Sequence, residues 1–123
     1  DLKIGKSIEE IIYNYEEIIK KIPHHKKVIF NSINPVDERY QHNEKRNNKI
    51  ISSINAGLEK ICLKYHNVYF LNTFKELSDN TGNLQKLYHV GDGVNLNSAG
   101  YQVWIALLKQ KISDISNYEN ENK

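Results

Sequence analysis

Two short, unbroken apolar runs, Val28-Ile29-Phe30 and Val68-Tyr69-Phe70-Leu71, constrain this chain more than any other feature. Neither alternates with polar residues, so a strand built from either must be covered on both faces. The first run continues through Asn31-Ser32-Ile33 to a loop at Asn34-Pro35, and the second ends near Asn72. A long helical stretch separates them. Strands joined through a helix pair in parallel, because a hairpin turn cannot reverse the chain across such a distance.

The flanking helices follow from capping and periodicity. Ser7 with Glu10 forms a capping box before Ile8, Ile11, Ile12, Tyr15, Ile18, Ile19 and Ile22, which predicts a helix over 8–22, closed by Pro23. After a polar stretch over 36–43, a second helix is expected from about Glu44 to His66, with Ile50, Ile51, Ile54, Leu58, Ile61, Cys62 and Tyr65 on one face. Thr73 and Glu76 form a second capping box over a short helix. The segment 78–96 carries turn signals at Asp79-Asn80, Thr81-Gly82 and Gly91-Asp92-Gly93, and its length marks it as functional or mobile. Asn97 or Ser98 then caps a last helix with Tyr101, Trp104, Leu107, Leu108, Ile112 and Ile115 as its apolar stripe. Tyr101 and Trp104 are expected to pack inward, and the polar tail over 116–123 is expected to fray. The domain proper is therefore expected over 1–115. Two strands are too few for these helices, so either a further strand hides in 84–90 or, the favoured reading, part of the sheet lies outside this sequence.

Several function classes are excluded early. The 123 residues suit one small domain. A net charge of +2 lacks the clustered positive charge of a phosphate-tracking protein, so no nucleic-acid partner is expected. No apolar run approaches the roughly 20 residues needed to span a bilayer, and the one cysteine, Cys62, cannot form an internal disulfide. Compartment stays open between cytoplasm and secretion. A chain that opens on Asp1 and contains no methionine is expected to be processed or part of a longer one.

The block Tyr88-x-x-Gly91-Asp92-Gly93-Val94-Asn95-Leu96-Asn97-x-x-Gly100-Tyr101-x-x-Trp104 places a turn, a helix cap and aromatic residues in register. With Asp1-Leu2-x-x-Gly5-x-Ser7, Asn31-Ser32-Ile33-Asn34-Pro35 and Ile54-Asn55, it resembles the C-terminal half of an SGNH or GDSL-type hydrolase. The resemblance implies an α/β, flavodoxin-like three-layer α/β/α fold with a parallel sheet that here lacks its N-terminal strands. It also implies hydrolysis of small acyl or acetyl esters, such as acetylated sugars, without a cofactor. In that family a serine in a Gly-Asp-Ser block, oxyanion donors from two further blocks and a C-terminal Asp-x-x-His pair assemble the site. Asp1 matches the aspartate that closes the Gly-x-Asn-Asp block, and Asp92 matches the aspartate of the C-terminal pair. Asn95 stands where the base histidine belongs.

That substitution carries a chemical consequence. Imidazole accepts and returns a proton near neutral pH, whereas a carboxamide offers hydrogen bonds but binds no proton there. The chain is therefore expected to lack ester hydrolase activity as written. An N-terminal segment or a second chain would have to supply the nucleophile and complete the sheet. The rival reading is a non-catalytic carbohydrate-binding or protein-interaction module derived from the same fold. Substrate contacts are assigned by position to Tyr88 and Val94, which flank the turn, to Ser32 at the C-terminal end of the first strand, and to Tyr40 with Arg39 in the segment beyond it. His89 is the histidine nearest Asp92 in sequence and the one candidate to replace the missing base. Ser7, Ser52 and Ser53 read as cap or helix-surface residues, with no nucleophile elbow around them. His24, His25, His42 and His66 lack metal-ligand spacing, the Asp92 loop lacks the regular oxygen ligands of a calcium site, and no metal is expected. Cys62 reads as a small core hydrophobe.

Overall fold

The computed structural model describes residues 7–40 and 47–121. Helix α1 spans Ile8–Lys20 and starts where the Ser7 hydroxyl accepts the Glu10 N–H at 3.1 Å. Strand β1 (Val28–Asn31), helix α2 (Asn48–Leu63), strand β2 (Val68–Leu71), the short helix α3 (Thr73–Leu77) and helix α4 (Ser98–Glu121) follow in order. A single 3-10 turn lies at Lys86–Tyr88. Asp1, Leu2, Gly5, His42, the expected helix start at Glu44 and the last two residues of the tail, all named above, fall outside the described residues.

The strands pair in parallel, Val28 with Val68 through Asn31 with Leu71. Side chains alternate across the sheet. Phe30 and Phe70, each partly buried, point to the face covered by α1 and α2 and pack against the buried Ile11, Ile19, Ile54, Leu58, Ile61, Cys62 and Val68. Asn31 points to the opposite face, where its Oδ1 accepts the Trp104 indole N–H of α4 at 2.8 Å. The result is an α/β arrangement with helices on both sides of a parallel ribbon. A third apolar cluster, Leu77, Leu84 and Leu96 with Tyr88, Val103 and Trp104, ties the irregular segment to α4.

Asparagine side chains set where β1 stops. The ladder runs one bond past Asn31, with Ser32 N–H donating to Leu71 O at 2.8 Å. At Ile33 the Asn55 amide then replaces a neighbouring strand, accepting the Ile33 N–H at 2.8 Å and donating to Ile33 O at 2.9 Å. The strand therefore ends at Asn31, short of the Ile33 expected. Asn48 binds the backbone of Val36 in the same two-point manner, at 2.8 and 2.7 Å. Buried peptide groups in a loop need partners, and these amides provide them without lengthening the sheet.

Other boundaries shift for local reasons. Helix α2 is capped by Asn47, whose side chain accepts the Ile50 N–H at 3.0 Å, and it stops at Leu63. Asn72, not Thr73, caps α3 by accepting the Lys75 N–H at 3.2 Å, which leaves Thr73 buried. Helix α4 continues to Glu121, beyond the point where fraying is expected, and Glu119 pairs with Lys27 beside β1. Tyr101 stacks on Trp104 with ring centroids 6.0 Å apart but stays 50% exposed, so only Trp104 packs inward. No further strand forms over 84–90, which holds the 3-10 turn and two isolated bridges, Ser78 with Leu84 and His89 with Leu96. Among the described residues the sheet has two strands, and every residue of β1 remains partly exposed.

Gly100, in the first turn of α4, is dictated by packing. A Cβ there would lie 2.6 Å from the Tyr88 carbonyl oxygen and 3.1 Å from a Leu96 methyl. Alanine is intrinsically better in a helix by about 1 kcal/mol. Here the backbone oxygen cannot yield, so Gly100→Ala is expected to destabilise by about 1–3 kcal/mol, as overpacked cores do. A urea titration reporting increased stability would contradict this reading.

Candidate active site

Residues 88–97 close into a narrow loop. Asn97 N–H donates to Tyr88 O at 2.9 Å and Val90 N–H to Asn95 O at 3.0 Å, which places Gly91-Asp92-Gly93-Val94 at the tip. Gly91 and Gly93 have φ of +110° and +78°, backbone that side-chain-bearing residues rarely adopt. At Gly93 a Cβ would also meet Asp37 O and Tyr40 Cβ at 2.8 Å. Asn97 fastens the base of the loop to α4. Its Oδ1 accepts the Gly100 N–H at 2.9 Å, while its Nδ2 donates to Leu87 O at 2.8 Å and His89 O at 3.2 Å.

The loop presents Asp92 and Asn95 as a pair. Asp92 Oδ1 accepts the N–H groups of Val94 and Asn95, each at 2.9 Å, and Oδ2 accepts the Asn95 side-chain Nδ2 at 2.5 Å. The orientation of the amide follows from this bond, since only the nitrogen can donate to a carboxylate. The Val94 N–H, then the Asn95 N–H and side chain, hold the Asp92 carboxyl down at about 2. Asp92 is thus an anion across the neutral range, and both residues are exposed at the tip.

Beneath the tip lies a second cluster, and its centre, Asp37, is the member that sequence reasoning missed. Asp37 is fully buried and its carboxylate takes Arg39 Nε at 2.8 Å, Arg39 Nη2 at 3.0 Å and His89 Nε2 at 3.0 Å. Burial pushes the Asp37 pKa up, but the hydrogen bonds from Arg39 and His89 outweigh it and hold the group below the usual carboxylate value. Arg39 is raised in turn, first by its bond to Asp37. His89 Nδ1 accepts the N–H groups of Gly91 at 3.0 Å and Gly93 at 3.3 Å. The proton of the ring therefore sits on Nε2, facing Asp37. The Tyr40 ring meets the imidazole edge-on, with centroids 4.9 Å apart. An aspartate in a polar stretch carries no sequence signal of burial, and only the spatial neighbours reveal it.

The structure sorts the remaining position-based assignments. Val94 lies on the tip between Asp92 and Asn95, and Tyr40 abuts the loop from the side of β1. Tyr88 is half-buried, packed against Leu77, Leu84 and Leu96. Ser32 takes an internal role instead of facing a ligand. It is buried, and its Oγ accepts the N–H groups of Thr73 at 2.9 Å and Phe74 at 3.1 Å, which anchors α3 to the end of β1. His89 is not free to act as a base at the tip, because both ring nitrogens are engaged and its side chain is 1% exposed. Among the described residues no group of three His, Cys, Asp or Glu gathers at one point, although the His24 and His66 rings meet edge-on with centroids 5.8 Å apart. Clefts of about 220 and 250 Å³ lie elsewhere, one lined by Asn55, Phe70 and Phe74 and the other by Ile29, Ile112 and Ile115. Cys62 is buried, and burial pushes its thiol up to about 11. Its reaction with a disulfide reagent is expected to be slow in the native chain and complete after unfolding in urea, and rapid native labelling would contradict the packing.

No protein-family model and no curated protein matches the sequence. Solved structures do. A protein of Streptococcus pneumonia assigned as a platelet activating factor superposes with a TM-score of 0.81 at 32% identity over 90% of this chain and 54% of its own. A GDSL-like lipase of Bacteroides thetaiotaomicron gives 0.70 at 25% identity, over 90% of this chain and 55% of its own. This chain shares the α/β fold of these GDSL-like structures. An acylhydrolase assignment from Bacteroides fragilis, at 22% identity, shares the fold with a TM-score of 0.76, over 90% of this chain and 54% of its own. The chain spans about half the length of these structures. No helix among the described residues is long and apolar enough to cross a membrane.

Proposed function

We propose that this chain is the C-terminal part of a GDSL-type ester hydrolase acting on small acyl or acetyl esters, with Asp92 as the orienting carboxylate and residue 95 in the position of the base. The observation that supports it is the 2.5 Å bond from the Asn95 side chain to Asp92 Oδ2, the contact a base would make with its orienting group. In the reaction a serine hydroxyl supplied from outside the described residues attacks the ester carbonyl. Its proton passes to the base and then to the departing alcohol, and water afterwards splits the acyl-serine. With asparagine at 95 the proton has no carrier, so the chain hydrolyses no ester unaided.

Two outcomes test this. The reading frame upstream of Asp1 is expected to contain Gly-Asp-Ser and Gly-x-Asn blocks. The full-length protein carrying Asn95→His is then expected to hydrolyse p-nitrophenyl acetate while the asparagine form does not. Equal rates for the two forms would remove residue 95 from the mechanism. The partly exposed β1, with Ile105 and Ile112 of α4 about half exposed, favours a second reading in which the chain docks onto a complementary segment without catalysis. Full-length Asn95→His protein that is folded but inactive would support that alternative.

A further inference from the structure

We propose that His89, held by Asp37, is the positioning residue of this site: by accepting the Gly91 and Gly93 amides it sets the turn that presents Asp92 and residue 95. Four observations converge on it. The imidazole is buried, and its two nitrogens face different elements, Nε2 towards Asp37 on the segment after β1 and Nδ1 towards the tip of the loop. The two amides it accepts flank Asp92 and belong to the glycines whose positive φ makes the turn possible. Asp37 grips the same turn directly, with its own N–H donating to Gly93 O at 2.8 Å. The Arg39 guanidinium closes on both Asp37 oxygens, and Tyr40 covers the imidazole edge.

The physical effect is to remove freedom from a glycine-rich tip. Two glycines around Asp92 would otherwise sample many backbone conformations. Asp92 keeps both oxygens on the Val94 and Asn95 donors only while those residues stay folded back over it. A nitrogen that receives both glycine amides selects that conformation. Its link to Asp37 transmits the position of the sheet to the tip, so the orienting carboxylate is located relative to β1. The catalytic part of this role rests on the function proposed above; the mechanical part does not.

The test uses the ionisation of Asp92 in the chain as it stands, followed by carboxyl carbon NMR. The native chain is expected to titrate at about 2, because the turn keeps three donors on the carboxylate. In His89→Gln, which can still reach Asp37 but offers no acceptor in the place of Nδ1, Asp92 is expected to rise towards the ordinary value near 3.9. In His89→Asn, whose Oδ1 can stand where Nδ1 stood, it is expected to stay near the native value. Equal Asp92 values in the two folded variants would overturn the proposal, as would an unchanged value in folded His89→Ala. If His89→Ala does not fold, the comparison of the asparagine and glutamine variants decides. In full-length protein activated by Asn95→His, His89→Gln is expected to lower kcat by about 10²-fold with little change in KM, the scale of a misplaced catalytic group. Loss in KM alone would count against positioning. Failure of Asn95→His to give any activity would sink the hydrolase reading and leave the Asp92 titration untouched.

Discussion

Replacing Asn95 by histidine in the full-length protein is expected to raise ester turnover by about 10⁴- to 10⁶-fold, the range by which loss of one triad member lowers it in a serine hydrolase. The size of the effect comes from proton transfer. Asn95 already donates to Asp92 Oδ2, so the orienting contact exists and no rearrangement of the loop is needed to make it. What the carboxamide lacks is a nitrogen lone pair that takes up a proton near neutral pH. An imidazole at the same place would donate one N–H to Asp92 and leave its other nitrogen free to accept the serine proton. Asp92 stays ionised well below neutrality, so the rate should rise with pH through the histidine's own titration, near 6.5 for an unperturbed imidazole, and level off above it. Stopped assays of p-nitrophenyl acetate across pH 5 to 9 would record both the gain and the profile. A gain without that pH dependence would mean that residue 95 is acting as something other than a base.

Asp37→Ala is expected to cost about 3 kcal/mol of folding stability, the largest loss foreseen for any single polar side chain here. The carboxylate is fully buried and bonded to four donor atoms from two residues. Its removal leaves the buried His89 Nε2–H without an acceptor and frees Arg39 to solvent. Arg39 is already about half exposed and rehydrates readily, so the penalty falls mainly on His89. The same group predicts the pH dependence. The folded-state pKa of Asp37 lies below its unfolded value, so the unfolded chain binds the proton more readily. The stabilisation is therefore complete above the unfolded value near 3.9 and is lost as pH falls through the lower folded value. Urea midpoints measured between pH 2 and 6 should converge for the native chain and Asp37→Ala at the acid end. Parallel curves with a constant gap would show that the lost stability does not come from the ionised carboxylate.

The parts of the fold that were legible in the sequence are those governed by local pattern. Ser7 and the isoleucines after it announce α1, and the two unbroken apolar runs announce parallel strands, because periodicity and capping depend on neighbours close in the chain. The spacing from Asp92 to Asn95, with glycines on either side of the aspartate, pointed to a tight turn carrying a candidate pair, and the two side chains are bonded in the structure. Ser32 shows the limit of reasoning by position. The C-terminal end of a parallel strand is where ligands gather, yet this hydroxyl is consumed by two amides of α3. The end of α4 shows another limit, since its polar tail reads as frayed while a contact between Glu119 and Lys27, distant in sequence, accompanies continued helix.

By itself, then, the amino-acid order determined the element types, the parallel pairing and the identity of the residue that stands at position 95, because each depends on short-range pattern or on side-chain chemistry that no fold can alter. Tertiary structure alone decided that Asp37 and His89 form a buried pair beneath the Asp92 turn and that Asn55 ends β1. Those contacts join residues 52 and 22 positions apart. Their energies come from burial and from saturating polar groups away from water, which are properties of the packed chain and not of any segment of it.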